Sequence, residues 1–414
     1  RILHINKFLW LCGGVERYMF DIADRFEADG HEILYFSMAD DRNIECGQSD
    51  YFVPNLDYKN TSLLQKLGRS KTILQRTFYS TEVKRKLANL IRDFQPDIAH
   101  IHLIYHHLSP SVLEALREAN VPIVQTVHDF KLICPNYKLY IPHENESCTR
   151  CVSGHFHHCI QHKCLNESYL GSALVAAEMA YHRKKQFYEK HVNHFLCPSK
   201  FVFDHLERSP IPTEKLIHLP HHINLEAYVP DAYIPQNDRD DYLVYVGRLV
   251  PEKGILTLIR AMAHLPDAKL KIIGSGPSQE DCEALIAEHN LTNVELIGFL
   301  DREALNRVVA RAHALVIPSE CNETCGLTAW EAHALQRPVI GAAIGGIPES
   351  IEEGQTGLLF EPGNVEALIE KIEWMLSHPE ESRNMGIQGR KQVEKACSAH
   401  YERLQTIYTD LVNT

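Results

Sequence analysis

The stretch DYLVYVGRLVPEKGILTLIRAM, residues 241–262, joins an apolar run to an amphipathic segment through a loop with a glycine at each end. The run DYLVYVG is typical of a buried β-strand, whereas ILTLIRAM has its apolar residues at helical spacing. Similar runs lie on both sides of this stretch, and amphipathic segments separate them. Short apolar strands that alternate with helices predict a parallel sheet covered on both faces.

The strand-like runs form two groups, one in each half of the chain. The first half contains RILHIN, HEILYFS, PDIAHIH and VPIVQTVHD, with a predicted helix over residues 15–30. The second half contains runs at 241–247, 269–276, 294–298, 313–319 and 337–343. Because the polar, proline-marked stretch 228–241 is typical of a linker region, we expect two doubly wound α/β domains that face each other across a cleft.

Composition limits the class of protein. The chain has 414 residues, of which 44% are hydrophobic and 23% charged, as in ordinary globular proteins. No stretch approaches the roughly 20 apolar residues of a membrane span, and the sequence opens on a strand-like run rather than a signal peptide. We therefore expect a cytoplasmic protein, and the net charge of −12 argues against nucleic acid as a partner.

The charge is unevenly distributed. Residues 1–200 carry 24 basic against 22 acidic residues, and the remainder carries 18 against 32. The segment 59–94 contains nine basic residues and two acidic ones. A basic amphipathic surface of this kind can contact an anionic membrane, although a solvated helix face explains the same composition.

Two loops that follow predicted strands carry candidate binding residues. Arg248 and Lys253 lie in the loop before a helix start, which is typical of a phosphate-binding site. The segment NETCGLTAWE repeats this arrangement after strand 313–319, with Gly326 before the predicted helix. Its carboxylates, Glu323 and Glu331, lie too far apart on such a helix for a glycosidase-like pair. Two carboxylates at this spacing can instead bind hydroxyls of two sugar rings.

These motifs resemble glycosyltransferase family 4, a family of retaining enzymes of GT-B fold. The resemblance rests on LVYVGRLVPEKGILTLIRAM, LKIIGSGP, VELIGFL and EAHALQRPVIGAAIGGIPESIEEGQTGLLFEPGN, and in the first half on GGVERYMFDIADRF, PDIAHIH and TVHD. It implies a GT-B fold of two Rossmann-like domains. Residues 1–200 would bind the acceptor, residues 201–396 would bind a nucleoside-diphosphate sugar, and the final helix, 397–414, would return to the first domain.

The resemblance also implies roles for individual residues. Arg248 and Lys253 would contact the diphosphate, Glu323 the transferred sugar, and Glu331 the ribose hydroxyls. His128 would meet the donor sugar at the reacting centre and complete the catalytic set. The other donor-binding residues that it implies are Gly13, Gly14, Gly247, Gly298, Phe299, Leu300, Thr324, Cys325, Gly326 and Leu327.

The implied chemistry needs no catalytic metal. Cations and a helix amino end can stabilise the charge that develops on a departing nucleoside diphosphate. The DxD string at residues 238–240 lies in the predicted linker and is interpreted as solvated. Cys325, His333 and Gln336 depart from the family pattern, and a glutamine where a helix end needs positive φ would cost about 1 kcal/mol.

A cysteine-rich insertion, residues 134–164, interrupts the first half. Its candidate metal ligands are Cys134, Cys148, Cys151, Cys159 and Cys164, of which four would bind a structural zinc ion. A disulfide pair and an iron–sulfur cluster are the alternatives. The insertion either shapes the acceptor site or forms a surface knob. Nearby, alternation places His100 and His102 on one face of a strand, where they either pack or line the acceptor cleft.

The sequence therefore predicts a retaining hexosyltransferase. Its acceptor would be a glycan, a lipid-linked intermediate or a small molecule, and polysaccharide biosynthesis at the inner face of the cell membrane is the expected setting. Three alternatives remain: a sugar-nucleotide 2-epimerase on the same fold, a non-catalytic nucleotide-sugar binding protein, and a nicotinamide dehydrogenase. The last would normally carry GxGxxG after the first strand, where LWLCGGVE stands instead.

Overall fold

The computed structural model describes residues 1–56, 70–233 and 241–414. Contacts within the chain divide it into two compact units. The amino-terminal unit comprises residues 1–138, 149–222 and 400–414, and the carboxyl-terminal unit comprises residues 139–148 and 223–399. Each contains a six-stranded parallel sheet with helices, so the predicted pair of Rossmann-like domains is confirmed.

The sheet of the amino-terminal unit has the strand order β10-β9-β6-β5-β1-β2. Its strands are β1 Ile2–Ile5, β2 Ile33–Phe36, β5 Ile98–Ile101, β6 Ile123–Thr126, β9 His194–Cys197 and β10 Leu216–His218. The short strands β3 Met38–Ala39 and β4 Val53–Pro54 pair separately. The helices are Gly14–Ala28, Ser70–Phe78, Thr81–Phe94, Ser111–Glu118, His157–Gln161, Tyr169–Lys185, Phe187–His191 and Lys200–Glu207.

The first helix shows why these segments fold as they do. Its apolar residues Tyr18, Ile22 and Phe26 are spaced by four and are all buried, as helical periodicity requires. The helix ends before Gly30, which takes a φ of +90°. The predicted helix is therefore confirmed, and it covers one face of the sheet beside β1.

The carboxyl-terminal unit has a sheet of order β13-β12-β11-β14-β15-β16. Its strands are β11 Leu243–Val246, β12 Leu270–Ile273, β13 Val294–Gly298, β14 Ala314–Ile317, β15 Val339–Ala342 and β16 Gly357–Phe360, and a hairpin adds β7 Tyr140–Ile141 and β8 Glu146–Ser147. The α-helices are Pro230–Tyr233, Ile255–Met262, Gln279–Glu288, Arg302–Arg311, Leu327–Ala334, Val365–Ser377 and Pro379–Val412. The last helix continues into the amino-terminal unit from His400.

Both faces of this second sheet are buried. Leu243 and Tyr245 of β11 belong to one hydrophobic core, whereas Tyr242 and Val244 belong to another. The alternation follows from the two-residue period of a β-strand. A central parallel strand covered on both faces must be apolar throughout, which explains the continuous run that opens residues 241–262.

The limits of the units differ from the sequence prediction. The amino-terminal unit continues to His222 rather than ending at residue 200, because β10 pairs with β9 and completes its sheet. Residues 139–148, predicted as part of the insertion in the first domain, instead belong to the carboxyl-terminal unit. The predicted linker lies partly, and the DxD string wholly, outside the described residues.

Candidate functional site

The loops that follow β11 and β14 lie against each other at the carboxyl edge of their sheet. The backbone amides of Glu320 and Cys321 donate to the carbonyl oxygen of Glu252 at 3.0 and 3.1 Å. Gly254 takes a φ of +66°, and a Cβ atom there would lie 1.8 Å from the carbonyl oxygen of Pro318. Glycine is therefore required where the second loop crosses the first.

This packing brings Lys253 and Glu323 together as an ion pair. The ammonium of Lys253 donates to Oε1 of Glu323, which also accepts a hydrogen bond from the Ser319 hydroxyl at 2.8 Å. Burial favours a neutral amine, but the neighbouring carboxylate raises the pKa of Lys253 above its ordinary value. The two side chains keep 27% and 20% of their exposure, so both charges remain accessible to a ligand.

Arg248 adds a second cation to the same loop. Its side chain is exposed, and its guanidinium is close enough to Lys253 to oppose the charge on that amine. The backbone beneath it is held because Tyr245 donates from its hydroxyl to the carbonyl oxygen of Arg248 at 2.9 Å. A guanidinium and an ammonium at one loop form a site suited to a polyvalent anion such as a diphosphate.

A glycine-rich loop after β15 positions Glu323 from the other side. The amide of Gly346 donates to the carbonyl oxygen of Glu323 at 2.8 Å. Gly345 has a φ of +61°, and a Cβ atom there would lie 2.5 Å from both the nitrogen and the oxygen of Glu323. The loop position of Glu323 thus depends on the close approach of a second backbone.

The segment from Thr324 to Glu331 runs from this loop into a helix. The helix begins at Leu327, directly after Gly326, as the sequence predicts. Burial and the nearby Glu323 carboxylate raise the pKa of the Cys325 thiol to about 12. This cysteine is therefore protonated at neutral pH and is a poor nucleophile.

Glu331 lies in the same helix, away from the ion pair. Its side chain is buried, and Oε1 accepts a hydrogen bond from the hydroxyl of Tyr228 at 3.0 Å. The ring of Tyr228 in turn lies 5.2 Å from the guanidinium carbon of Arg302. Glu323 and Glu331 therefore have separate partners, consistent with the prediction that they do not form a close catalytic pair.

Residues Gly298 to Leu300 lie at the same sheet edge but are not brought against the ion pair. They follow β13, the edge strand, which β12 separates from β11. Two strand spacings amount to about 10 Å. Phe299 is 81% exposed, so an aromatic face is available to stack on a planar group. Gly247, directly after β11, lies between the ion pair and residues 298–300. A Cβ atom added to Gly274 would lie 1.8 Å from the carbonyl oxygen of Gly247.

Sequence reasoning missed four residues that build this site. Ser319 and Tyr228 donate hydrogen bonds to the two glutamates, and Gly345 and Gly346 position Glu323. The glycine pair stands directly after a predicted strand and could have been found. Tyr228 lies in the predicted linker, and nothing in its local pattern indicates a contact 103 residues away.

The hairpin of residues 139–148 also contacts this region. Asn145 donates from Nδ2 to Glu320 at 3.3 Å, and Asn322 donates from Nδ2 to the carbonyl oxygen of Leu139 at 3.0 Å. Glu320 additionally accepts from the Thr257 hydroxyl at 2.5 Å. Part of the cysteine-rich insertion therefore packs beside the loop that carries Glu323.

In the amino-terminal unit, Gly13 and Gly14 stand at the start of the first helix, in the loop that follows β1. Gly13 has an extended backbone and precedes Gly14, the first helical residue. Asn6 fixes the loop, because its Nδ2 donates to Glu16 and to the carbonyl oxygen of Phe8, each at 2.9 Å. This loop presents its backbone at the carboxyl edge of the first sheet.

His128 follows β6 and ends a chain of three imidazoles. His102 Nδ1 lies 2.9 Å from His128 Nε2, and His102 Nε2 lies 3.1 Å from His4 Nδ1. Burial, together with His221, holds the pKa of His128 well below its ordinary value. The three rings are therefore neutral at neutral pH, and each can donate from only one nitrogen.

His4, at the other end of the row of three imidazoles, indicates the direction of the hydrogen bonds between them. His4 Nε2 is buried without a hydrogen-bond partner among the described residues. A buried N–H without a partner is rarer than a buried lone pair without one. The favoured tautomers therefore have His4 donate to His102 and His102 donate to His128, which places the remaining hydrogen of His128 on Nδ1.

His100 and His102, predicted to lie on one face of a strand, stack on each other with ring centroids 4.4 Å apart. His100 is fully buried and bonds to Tyr408 and Thr126 at 2.6 and 2.7 Å. Packing therefore explains His100, which does not line an open surface.

The basic segment 59–94 is described only from residue 70 onward. Within that part Arg76 is buried and paired with Glu82, and Lys84 pairs with Glu114 and Glu118. Lys71 and Arg85 are exposed. Much of the predicted basic surface thus consists of ion pairs. Among the described residues, no helix is both long and apolar enough to cross a lipid bilayer.

Comparison with known protein families gives matches in both units. The model described as Glycosyltransferase Family 4 matches residues 12–227, more than half of the 414 residues. The model described as Glycosyl transferases group 1 matches residues 232–392. This chain belongs to glycosyltransferase family 4. The resemblance expected from the sequence motifs is thereby confirmed.

Curated relatives match this family 4 chain in part. The sulfoquinovosyl transferase of Arabidopsis thaliana is 37% identical over 158 residues, which cover 37% of this chain and 30% of that protein. A GDP-mannose-dependent α-(1-6)-phosphatidylinositol monomannoside mannosyltransferase of Mycolicibacterium smegmatis is 30% identical over 201 residues. The match covers 43% of this chain and 52% of that protein. The chain spans between 30% and 54% of the length of the first such relatives.

Solved structures match over nearly the whole chain. Sucrose-phosphate synthase of Thermosynechococcus elongatus has a TM-score of 0.72 at 22% identity, covering 99% of this chain and 98% of that one. HepE of Anabaena, solved in complex with UDP, has a TM-score of 0.69 at 16% identity. The match covers 99% of this chain and 100% of that one. At these identities the likeness shows the GT-B fold.

Proposed function

We propose that this family 4 protein transfers a hexose from a nucleoside-diphosphate sugar to an acceptor hydroxyl, with retention of anomeric configuration. The observation that carries the proposal is the position of Arg248, Lys253 and Glu323 in neighbouring loops at one sheet edge. Two cations can bind a diphosphate, and the adjacent carboxylate can accept hydrogen bonds from sugar hydroxyls. HepE, a structural neighbour, was solved in complex with UDP-glucose, which supports this class of donor.

In the proposed reaction the bond between the anomeric carbon and the diphosphate oxygen breaks, and its electron pair leaves with the nucleoside diphosphate. The acceptor oxygen forms the new bond on the same face, and its proton passes to the departing phosphate. Arg248 and Lys253 stabilise the developing negative charge, so no catalytic metal is needed. Loss of one such preorganised donor typically lowers the rate by about 10²–10³-fold.

The remaining residues have proposed binding roles. Glu331, already oriented by Tyr228, would bind the ribose hydroxyls, and the exposed ring of Phe299 would stack on the base. The backbone amides of residues 324–327 would assist Glu323. His128 would contact the transferred sugar as a neutral imidazole, held by His102, and Gly13 and Gly14 would leave room for the diphosphate and the acceptor.

We propose that the acceptor is a lipid-linked or polysaccharide intermediate in cell-envelope glycan synthesis, and that the protein works in the cytoplasm at the inner face of the membrane. The mycobacterial relative acts, by its name, on a phosphatidylinositol monomannoside. A Corynebacterium glutamicum relative, 33% identical over 207 residues, is instead a D-inositol 3-phosphate glycosyltransferase, which keeps a small-molecule acceptor as the second candidate.

Product analysis tests the reaction. The protein is incubated with a panel of UDP-, GDP-, ADP- and dTDP-sugars, and the released or transferred sugar is followed by mass spectrometry and by NMR of the anomeric proton. Retention of configuration, with no stimulation by added Mg²⁺, supports the proposal. A 2-epimer formed from donor alone would indicate an epimerase, and tight binding without any product would indicate a binding protein.

Vesicle sedimentation tests the membrane setting. Vesicles of phosphatidylcholine are compared with vesicles that also contain phosphatidylglycerol, at low and at physiological salt. The proposal predicts salt-sensitive binding to the anionic vesicles that weakens when the exposed Lys71 and Arg85 are replaced by serine. Equal recovery in the supernatant with both kinds of vesicle would favour a soluble acceptor.

A further inference from the structure

Four cysteines of the amino-terminal unit lie near one another, outside the proposed donor site. Cys151 and Cys159 are buried in a small core of their own with Phe156, Val175, Ala176 and Met179, and Cys164 packs against that core. The Sγ atoms of Cys159 and Cys164 are within hydrogen-bonding reach of each other, and the thiols of Cys134 and Cys151 lie close enough to act on Cys159.

Backbone contacts hold the group together. The amide of Cys164 donates to the carbonyl oxygen of Cys159 at 3.1 Å. Asn136 joins the two ends of the insertion, because its Oδ1 accepts from the Cys134 thiol at 2.9 Å and its Nδ2 lies 3.5 Å from the carbonyl oxygen of Cys164. Cysteines that are 30 residues apart in sequence are thus brought to one place.

Two histidines of the insertion have partners of their own outside the group. His155 is exposed and its Nδ1 bonds to Ser153, while His158 bonds through Nδ1 to Gln161. The insertion therefore turns its thiols inward and these imidazoles outward. A set of four thiols is the ligand set of a Cys₄ zinc site.

A half-buried cation lies beside the group. Arg183 stacks on the ring of Phe156, with 4.9 Å from its guanidinium carbon to the ring centroid. Its Nη1 is buried and has no hydrogen-bond partner among the described residues, and Glu189 is the carboxylate that favours its charge. Zinc bound by four thiolates carries a net charge of −2, which would compensate a guanidinium in this position.

The backbone around Cys164 is strained in a way that a metal would stabilise. Lys163, Asn166 and Glu167 all adopt left-handed conformations, with φ between 46° and 54°. Two of these, Lys163 and Glu167, are not residues that favour this region, so their conformations are strained. The small core around Phe156 has few apolar residues with which to offset that cost.

We propose that the cysteine-rich insertion is a structural zinc site, in which Cys134, Cys151, Cys159 and Cys164 bind the ion. All four belong to the amino-terminal unit, and four thiolates are a common ligand set of structural zinc. Binding displaces the thiol protons and forms four Zn–S bonds without any redox change. The proposal concerns the insertion alone and is independent of the donor-site assignment.

Metal analysis of the purified full chain, prepared without chelators, tests the proposal. The expected result is about one zinc per chain by mass spectrometry of the metals. A mercurial thiol reagent should release it together with about four thiols, and exchange with Co²⁺ should give the spectrum of tetrahedral thiolate coordination. These measurements use the unmodified protein, so they do not depend on whether a variant folds.

Serine substitutions then identify the ligands. Cys151→Ser, Cys159→Ser and Cys164→Ser should each lose the zinc, whereas Cys46→Ser, at a partly buried cysteine of the same unit, should keep it. Cys134→Ser should lose the zinc as well. Arg183→Leu should release zinc to a chelator faster than the parent does, with Arg183→Lys in between.

Three results would overturn the proposal. The first is protein without stoichiometric metal whose insertion thiols all react freely in the absence of a chelator. The second is iron with acid-labile sulfide and a visible absorption band, which would show an iron–sulfur cluster. The third is a disulfide between two of these cysteines in a non-reducing peptide map.

Discussion

The buried histidine cluster of the amino-terminal unit makes the protein sensitive to mild acid. The cluster consists of His4, His100, His102, His128, His221 and His400, packed around Tyr18. Burial lowers the pKa of three of them, His4, His221 and His400, from 6.5 to about 3. An unfolded chain would protonate these rings below pH 6.5, whereas the folded chain resists until about pH 3.

The sign follows from proton linkage. Between these two pKa values the unfolded state binds more protons than the native state, so stability is present above pH 6.5 and is lost as the pH falls towards 3. Each ring contributes about 1.4 kcal/mol per pH unit in this window. Lowering the pH from about 7.5 to about 5.5 should therefore cost about 4 kcal/mol for the three rings, a large share of a net stability of about 5–15 kcal/mol.

Urea denaturation followed by circular dichroism at the two pH values measures this loss. His4→Gln removes one buried imidazole and should reduce the loss of stability between the two pH values by about 1.4 kcal/mol. His289→Gln, which removes an exposed imidazole of the carboxyl-terminal unit, is the matched control and should leave the pH dependence unchanged. A stability that changes by less than about 1 kcal/mol between the two pH values, or an equal slope for His4→Gln and the parent, would refute the reasoning.

Three further predictions concern stability and site geometry. Glu178 is fully buried and accepts a hydrogen bond from Lys131 at 2.8 Å. Glu178→Gln should therefore lower the free energy of unfolding by about 3–5 kcal/mol in urea melts. The double variant with methionine in place of both Lys131 and Glu178 should recover most of that loss. Gln336 has a φ of +56°; Gln336→Gly should raise the free energy of unfolding by about 0.5–1 kcal/mol, and a lower value would contradict the strain. Gly345→Ala should weaken nucleotide-sugar binding in calorimetry by displacing Glu323. Gly354 also has a positive φ, but a Cβ atom there would meet nothing within 4 Å, so Gly354→Ala should leave nucleotide-sugar binding unchanged. Equal effects of the two substitutions would argue against the contact between Gly345 and the backbone of Glu323.

The sequence predicts the architecture well because central parallel strands are apolar throughout. The runs around residues 243–246 and 314–317 have this pattern and form adjacent strands. Strands β9, β10 and β16 were not predicted, since they are short and lack a distinctive period. The boundary at His222 was missed for the same reason: β10, only three residues long, carries the first sheet past residue 200.

The candidate site was predictable where it is local in sequence. Arg248 and Lys253 stand at fixed offsets after a strand, and the start of the helix at Leu327 follows from Gly326. Tyr228 was not predictable as the partner of Glu331, because it reaches that residue through tertiary packing, whereas Ser319 lies four residues before Glu323 and Gly345 follows a predicted strand. The prediction that residues 139–148 belong with the first domain was wrong, since side-chain amides tie this hairpin to the loop that carries Glu323.

Calorimetric titration with nucleotide sugars tests the central claim that the loops carrying Lys253 and Glu323 bind a donor diphosphate. The parent, Lys253→Ala and Lys269→Ala are titrated with the panel of UDP-, GDP-, ADP- and dTDP-sugars; Lys269 is an exposed cation of the same unit outside the site. The account predicts that one donor class binds the parent and Lys269→Ala equally. Lys253→Ala should bind it about 10–100-fold more weakly, as expected for the loss of one charged hydrogen bond. Equal affinity of all three proteins for the donor, or no binding of any nucleotide sugar to the parent, would contradict it.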